Sequence, residues 1–200
     1  GWPVGLVIPT VVLICGAVGL LNGYLIGFLR LRAFLTTLVT LIIVRAVVDM
    51  LLLKYAQAMS VSFYQSDVWD LIGLGGVAGV PSSFIILVIV ALIGHILLTR
   101  SRPGWRMMAI GGSRRSAHNI GLCGAYTISG MLCGLAGMLY AARLSGAGTD
   151  TGMGLEISAL TAAVLGGNSL GGGRGSVAKA LIGAVIVQVM TNGVLRIGLN

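Results

Sequence analysis

The sequence predicts an all-α, polytopic transmembrane helical bundle with about six membrane segments, one of them broken by a glycine-rich stretch. Hydrophobic residues make up 56% of the chain and charged residues 9%, whereas a soluble domain carries roughly 25% charged residues. A helix needs about 20 apolar residues to cross the hydrocarbon core of a bilayer, and the chain contains several runs of that length. Low charge and long apolar runs together exclude an ordinary water-soluble domain.

Six apolar segments follow one another along the chain. We predict them at residues 4–29, 33–53, 81–99, 120–142, 157–165 and 177–195. Pro9 is expected either to bend the first helix or to mark where regular helix begins. The fifth segment is too short to span a membrane alone, and it runs into the glycine-rich stretch 166–175. We therefore predict a broken helix there, because glycine permits backbone conformations that other residues avoid.

The segments are expected to form one transmembrane domain over residues 1–200. The chain starts at Gly1 without an initiator Met and stops just past an apolar run, so we expect it to be an internal fragment of a longer membrane protein. Loops at 54–80 and 144–156 are expected on one side of the membrane, and the loop at 100–121 on the other. The aromatic loop 54–80 is expected to include a short interfacial helix.

Basic residues predict the orientation of these segments. The formal net charge is +8, and the loop at 100–121 carries five arginines, namely Arg100, Arg102, Arg106, Arg114 and Arg115. Because loops rich in Lys and Arg stay in the cytoplasm, we place this loop there, which requires residues 157–173 to cross the membrane. Nucleic-acid platforms interleave aromatic residues with their basic ones, and this loop has only Trp105, so no nucleic-acid partner is expected.

Two charged residues lie within the second apolar segment. Arg45 and Asp49 are spaced i and i+4, so they share a helix face and can form an ion pair. A charge near the bilayer centre costs roughly 2.5 to 3.5 kcal/mol on insertion scales. Two interpretations stay open, namely a substrate-contact site in a translocation path and a structural ion pair that faces a neighbouring helix.

Uncharged polar residues complete the candidate path. Gly19 and Gly23 predict a close helix contact, across which Asn22 is expected to form a hydrogen bond, with substrate contact as the alternative. Thr36, Thr37 and Thr40 could line a polar path, although threonine often bonds to its own helix. The candidate translocation path thus comprises Asn22, Thr36, Thr37, Arg45, Asp49 and Asn168.

No constellation of residues in the sequence indicates catalysis. There are five acidic residues in all, without a paired carboxylate, a Ser/His/Asp arrangement or a metal-ligand spacing. Cys15, Cys123 and Cys133 lack disulfide or metal spacing and are predicted to be small buried residues. We therefore expect no enzyme activity, no metal and no cofactor.

Several stretches in order resemble the permease subunits of ribose-type ABC importers, the family that also includes branched-chain amino acid permeases. They are Leu21-Asn22-Gly23, Phe34-Leu35-Thr36-Thr37-Leu38, the loop and following span at 100–144, and the segment 156–176 with Gly166-Gly167-Asn168-Ser169-Leu170 and Gly172-Gly173-Arg174-Gly175-Ser176. The two short runs within 156–176, at 166–170 and 172–176, favour the sugar-transporting branch of that family.

The resemblance implies a cytoplasmic loop that docks on an ATPase subunit. The family pattern looks like Ala-Ile-Gly-Gly-Asn-x-x-Ala-Ala-x-x-x-Gly. The coupling-loop residues implied here are Ala109, Ile110, Gly111, Gly112, Ser113, Arg114, Arg115, Ala117 and Gly121. Ser113 stands in place of the usual Asn, Arg115 in place of a common Glu, and Ser116 in place of the first Ala. A short helix that is small on one face and basic on the other can occupy a partner's groove.

The resemblance also implies a function and partners. We expect the permease subunit of an ATP-binding-cassette importer that translocates a ribose-, xylose- or galactose-like monosaccharide across the bacterial inner membrane. ATP hydrolysis is expected on a separate cytoplasmic ATPase subunit. A periplasmic solute-binding protein, a second permease copy and the lipid bilayer are the other expected partners. The alternatives are a branched-chain amino acid permease, a stand-alone secondary transporter or channel, and a membrane scaffold that transports nothing.

Overall fold

The computed structural model of the protein describes residues 4–59, 73, 75–77, 80–102, 104–105, 107–108, 119–144, 151–169, 171 and 173–197. The chain divides into two compact units. The first unit comprises Gly1–Leu87 and His118–Thr151, and the second comprises Val88–Ala117 and Gly152–Asn200.

Helices dominate the part of the chain that the structure describes. They are α1 (Val4–Phe28), α2 (Ala33–Met59), α3 (Ser82–Arg100), α4 (Asn119–Leu144), α5 (Leu155–Leu165) and α6 (Val177–Ile197). Two-residue strands β1 (Gly76–Val77) and β2 (Val80–Pro81) pair antiparallel just before α3. Five helices, all except α5, are long and apolar enough to cross a membrane. The predicted all-α, multi-pass membrane fold is confirmed.

The first helix begins before its proline. Pro9 lies inside α1, so the expectation that regular helix starts there is wrong. Proline lacks the N–H that would bond four residues back. One residue later, the Thr10 hydroxyl donates to the Leu6 carbonyl oxygen over 2.6 Å. After Phe28, Arg30 takes a left-handed φ of 53°, a conformation that L-residues do not propagate as a helix.

The second helix is longer than its apolar run. Residues 54–59 belong to α2, so the loop predicted over 54–80 begins later than expected. The apolar part of α2 ends at Lys54, but Ala, Gln and Met are good helix formers and carry the helix on to Met59. Most of the remaining loop, including its expected interfacial helix, lies outside the described residues.

Glycines bring α1 and α4 together in the first unit. A Cβ added at Gly19 would overlap the Tyr126 carbonyl oxygen, and one added at Gly130 would overlap the carbonyl oxygen of Cys15. At Gly23 an added Cβ would lie 2.6 Å from the Cα of Cys123. Rising numbers on α1 meet falling numbers on α4, so the two helices are antiparallel. The close contact predicted from Gly19 and Gly23 is present, and it is made with α4.

A second pair of glycines brings α5 and α6 together in the second unit. A Cβ at Gly183 would overlap the Ala162 carbonyl oxygen, and one at Gly166 would overlap the Lys179 carbonyl oxygen. The pairing again runs antiparallel. Small residues allow this approach because the backbones can touch, and the result is a helical hairpin.

The turn between these two helices has defined hydrogen bonds. Gly167 has a φ of 83°, its N–H donates to the Val164 carbonyl over 2.8 Å, and the Asn168 N–H donates to the Ala163 carbonyl over 3.0 Å. These two bonds form the Schellman motif that ends α5. The interruption predicted at the glycine-rich stretch is therefore present, as a structured turn. Whether residues 157–173 cross the membrane stays a prediction.

Candidate translocation site

A cavity of about 530 Å³ lies among three helices of the first unit. Its walls come from α1, α2 and α4, with Thr151 adding to the lining. The lining residues are Cys15, Val18, Gly19, Asn22, Thr37, Thr40, Leu41, Val44, Arg45, Val48, Asp49, Tyr126, Ser129, Gly130, Cys133 and Thr151. Hydroxyl, amide, thiol and charged groups thus share one space between helices that are otherwise apolar.

One face of α2 supplies the largest part of this lining. Thr37, Leu41, Arg45 and Asp49 recur every four residues and all line the cavity. Residues at this spacing lie on the same side of a helix, so a single orientation of α2 presents them together. Arg45 lies near the middle of the apolar span Ala33–Lys54, where a charge is costly to insert.

Two charged residues of α2 face the same cavity. Arg45 and Asp49 are both half-buried, and they are the charged residues among the lining that the structure describes. Sharing of one helix face, as predicted, is observed. No ion pair within 4.0 Å joins them in the described part of the chain, and neither forms a hydrogen bond there. The geometry therefore leaves both groups directed at the cavity.

A hydrogen bond joins α1 to α2 at the wall of the cavity. The Thr40 hydroxyl lies 2.6 Å from Asn22 Oδ1, to which it donates, and it also lies 3.0 Å from the Thr36 carbonyl oxygen. We expected Asn22 to bond across the glycine contact, which is made with α4. Its partner lies on α2 instead, because Asn22 is about one turn along from Gly19 on the side that faces the cavity.

Two predicted path residues lie elsewhere. Thr36 is 8% exposed, does not line the cavity, and donates to the Arg32 carbonyl over 3.1 Å. Asn168 belongs to the second unit, where its Oδ1 accepts a hydrogen bond from the Ser176 N–H over 2.8 Å. Four of the six predicted residues, Asn22, Thr37, Arg45 and Asp49, are brought together.

Sequence reasoning missed the wall that α4 provides. Tyr126, Ser129 and Cys133 line the cavity at spacings of three and four residues, which place them on one helix face. That spacing beside Gly130 was the available signal. Cys133 is exposed, while Cys15 and Cys123 are half-buried, so the prediction of three buried cysteines is wrong for Cys133.

The second unit has a smaller cavity of about 330 Å³ at the glycine turn. It is lined by Leu98, Met107, Met108, Asn168, Gly173, Arg174, Gly175, Ser176, Val177 and Ala180. An added Cβ at Gly175 would lie 2.9 Å from Asn168 Oδ1, so the Asn168 side chain fills the space inside the turn. No group of three His, Cys, Asp or Glu that could hold a metal occurs among the described residues.

Comparison with known families decides what kind of membrane protein this is. Residues 1–199 match the family described as "Branched-chain amino acid transport system / permease component". The chain belongs to this permease family. The resemblance to ribose-type importer permeases predicted from the sequence is confirmed.

Curated relatives of the permease are named for sugars. The chain is 32% identical over 191 residues to the ribose import permease protein RbsC of Escherichia coli (strain K12), which covers 92% of this chain and 59% of that protein. It is 36% identical over 188 residues to the D-allose transport system permease protein AlsC of the same strain, and the match covers 91% of this chain and 56% of that protein. A galactose/methyl galactoside import permease protein, MglC, is 33% identical over 99% of this chain and 61% of its own length.

The chain spans about three-fifths of the length of these relatives. No solved structure matches it. Five spanning-capable helices and membership of a permease family make it a multi-pass membrane protein.

The loop expected to couple this permease to an ATPase is described only at its two ends. Residues 109–117 lie outside the described residues. Gly121 is half-buried and is the third residue of α4. At the other end, the Trp105 ring N–H donates to the Thr99 carbonyl over 3.2 Å, and the Gly104 N–H donates to Ser101 Oγ over 3.1 Å. These bonds fold the chain back onto the last turn of α3.

Proposed function

We propose that this chain is the membrane core of a permease subunit in an ATP-binding-cassette importer, and that it translocates a monosaccharide across a bacterial inner membrane. The observation that carries the proposal is the cavity of about 530 Å³ among α1, α2 and α4. A sugar offers several hydroxyls that both donate and accept, and this lining offers the matching hydroxyl, amide, guanidinium and carboxylate groups.

The relatives support a sugar over an amino acid. Their printed names specify ribose, D-allose, galactose and methyl galactoside, and galactofuranose and fructose also occur among them. The family description mentions branched-chain amino acids. Apolar side chains such as Leu41 and Val44 line the cavity beside its polar groups, so the preference for a sugar rests on the names of these relatives.

The proposal includes three partners. A cytoplasmic ATPase would supply the energy, because ATP-driven transport needs a hydrolytic subunit and the relatives are permease components. A periplasmic solute-binding protein would deliver the sugar, and a second permease copy would complete the path. Coupling requires two global states that nucleotide and substrate favour differently.

Uptake by reconstituted vesicles tests this function. The full-length permease would be reconstituted with its ATPase and binding protein, and entry of labelled D-ribose, D-allose and D-galactose would be measured with and without ATP. We expect uptake of at least one sugar that needs ATP and all three components. Sugar entry into vesicles that contain the permease alone would contradict the proposal.

The same vesicles separate the importer from a secondary transporter. Collapse of the proton gradient at constant ATP should leave uptake unchanged, because ATP hydrolysis drives transport in the proposed importer. Loss of uptake under that condition would favour ion coupling, with Asp49 as the candidate group.

A further inference from the structure

The charged groups of the cavity have opposite signs and no partner among the described residues. Arg45 and Asp49 are its charged residues, and the rest of the described lining is neutral. The described lining therefore carries no formal net charge, although it contains one strong hydrogen-bond donor group and one strong acceptor group. Both lie in a membrane span, where an unpaired charge is expensive and usually serves transport.

Their spacing determines which ligands can use both groups. Residues at i and i+4 have Cβ atoms about 5 to 6 Å apart, so a ligand that contacts one group lies close to the other. An anionic ligand such as a sugar phosphate would pair with Arg45 but would be repelled by Asp49. A cationic ligand would pair with Asp49 but would be repelled by Arg45. Adjacent hydroxyls of a neutral sugar can accept from the guanidinium and donate to the carboxylate at the same time.

We propose that Arg45 and Asp49 act together as a charge filter, which excludes ligands with a net charge and binds a neutral monosaccharide through both side chains. The inference rests on the proposed function and names the ligand class of that same site. The two residues set specificity in the membrane path, because each excludes ligands whose charge matches its own.

The exposed thiol of Cys133 makes the filter measurable. Cys133 lines the same cavity on α4, the helix opposite the charged face of α2. The test uses full-length protein in membrane vesicles with Cys15→Ser, Cys123→Ser and serine at any cysteine outside these residues. Cys133 is then modified with two methanethiosulfonates of similar size, one with a sulfonate and one with a trimethylammonium group, and the ratio of the two rates is recorded.

Each charge should move that ratio in its own direction. Asp49→Asn leaves Arg45 in excess, so the sulfonate reagent should gain about fivefold over the cationic one, and Arg45→Gln should shift the ratio about fivefold the other way. The double variant is neutral again and should return to the original ratio. Arg143→Gln is the matched control, since it removes a charge on α4 about 15 Å along the helix from Cys133 and should leave the ratio unchanged.

Ligand protection then tests specificity directly. D-ribose, or whichever neutral sugar the vesicles import, should slow modification of Cys133, and D-ribonate should not. In the Asp49→Asn variant D-ribonate should protect as well. A ratio that stays constant in both single variants would overturn the filter, and so would a shift that the double variant fails to reverse.

The outcomes separate this inference from the proposed function. If the vesicles import sugar but the ratio of the two modification rates does not change in the single variants, the filter alone is overturned. A responsive ratio in vesicles that import no monosaccharide overturns the function, and with it the sugar as ligand. Protection of Cys133 by L-leucine but by no sugar would likewise overturn the neutral sugar, because a zwitterion could occupy both charges.

Discussion

Two helix pairs in this protein use glycine to approach closely, over very different lengths. The α1–α4 contact extends from Gly134, beside the Val11 carbonyl, to Gly23, beside Cys123, which is about 18 Å along the helix. In the α5–α6 pair the glycine contacts are those of Gly166 with Lys179 and of Gly183 with Ala162, about one turn apart. The long contact holds two spans together and leaves polar side chains beside it facing a cavity, whereas the short contact fixes a turn.

The largest effect is expected where the short contact is tightest. In Gly183→Ala the new methyl group would overlap the Ala162 carbonyl oxygen and approach Gly166 N within 2.7 Å. Both are backbone atoms of a hairpin that cannot separate without opening the turn, so we expect a loss of about 3 kcal/mol in stability. The thermal unfolding midpoint of the purified full-length permease measures it.

Gly193→Ala is the control on the same helix, because an added Cβ there has nothing within 4 Å. It should leave the midpoint unchanged or slightly raised, since alanine favours helix more than glycine does. Equal midpoints for the two variants would mean that α6 does not depend on this contact.

Disruption of the α1–α4 contact should reduce stability less than Gly183→Ala does, but it should reduce sugar uptake more. In Gly19→Ala the methyl group would overlap the Tyr126 carbonyl oxygen, and the two long helices can shift apart as rigid rods at a cost of about 2 kcal/mol. That shift moves the wall that contains Asn22 and Tyr126. Vesicle uptake of sugar should fall more than the amount of folded protein does.

Gly137→Ala on α4 is the matched control, with nothing within 4 Å of its added Cβ. It should retain both folding and uptake. If Gly19→Ala retained full uptake per folded molecule, the position of the α1–α4 contact would have no influence on the path.

The helices could be predicted from the sequence, because a bilayer imposes a minimum apolar length and charged residues mark where the runs end. Each observed helix end lies within a few residues of its prediction, except at the end of α2. The apolar span of α2 ends at Lys54. The residues that follow still favour helix, so α2 extends to Met59. Hydropathy detects the membrane boundary, and helix propensity decides where the helix stops.

The site was predictable in part, for a geometric reason. Arg45 and Asp49 stand out because they are charged within an apolar run, and their spacing fixes a common face. The spacing of Tyr126, Ser129 and Cys133 places them on one helix face, and the contact between α1 and α4 shows that this face lines the cavity. Adjacent residues such as Thr36 and Thr37 differ by about 100° around the helix, and tertiary packing alone decides which of them is buried.

A smaller effect is expected at the turn between α5 and α6. Asn168→Ala removes the acceptor for the Ser176 N–H, which lies 2.8 Å away, and leaves a part-buried donor unsatisfied. We expect a loss of about 1 to 2 kcal/mol, measured as the thermal midpoint. Asn168→Asp keeps an acceptor oxygen in the same place and should retain more of the stability than the alanine variant. Equal losses in the two variants would contradict a role for this acceptor oxygen, because aspartate retains both the oxygen and the size of the side chain.

The smallest effect is expected at the bond between α1 and α2. Thr40→Val keeps the shape of the side chain and removes its 2.6 Å bond to Asn22 Oδ1. Hydrogen bonds between membrane helices contribute about 0.6 kcal/mol on average, so folding should hardly change. Thr10→Val is the control, because the Thr10 hydroxyl bonds only within its own helix among the described residues.

Thr40→Val should nevertheless affect transport, because Thr40 and Asn22 both line the cavity. It should raise the sugar concentration at half-maximal uptake severalfold, while Thr10→Val should not. If Thr40→Val left the sugar concentration at half-maximal uptake unchanged, this bond would have no role in the proposed path and would only connect α1 to α2.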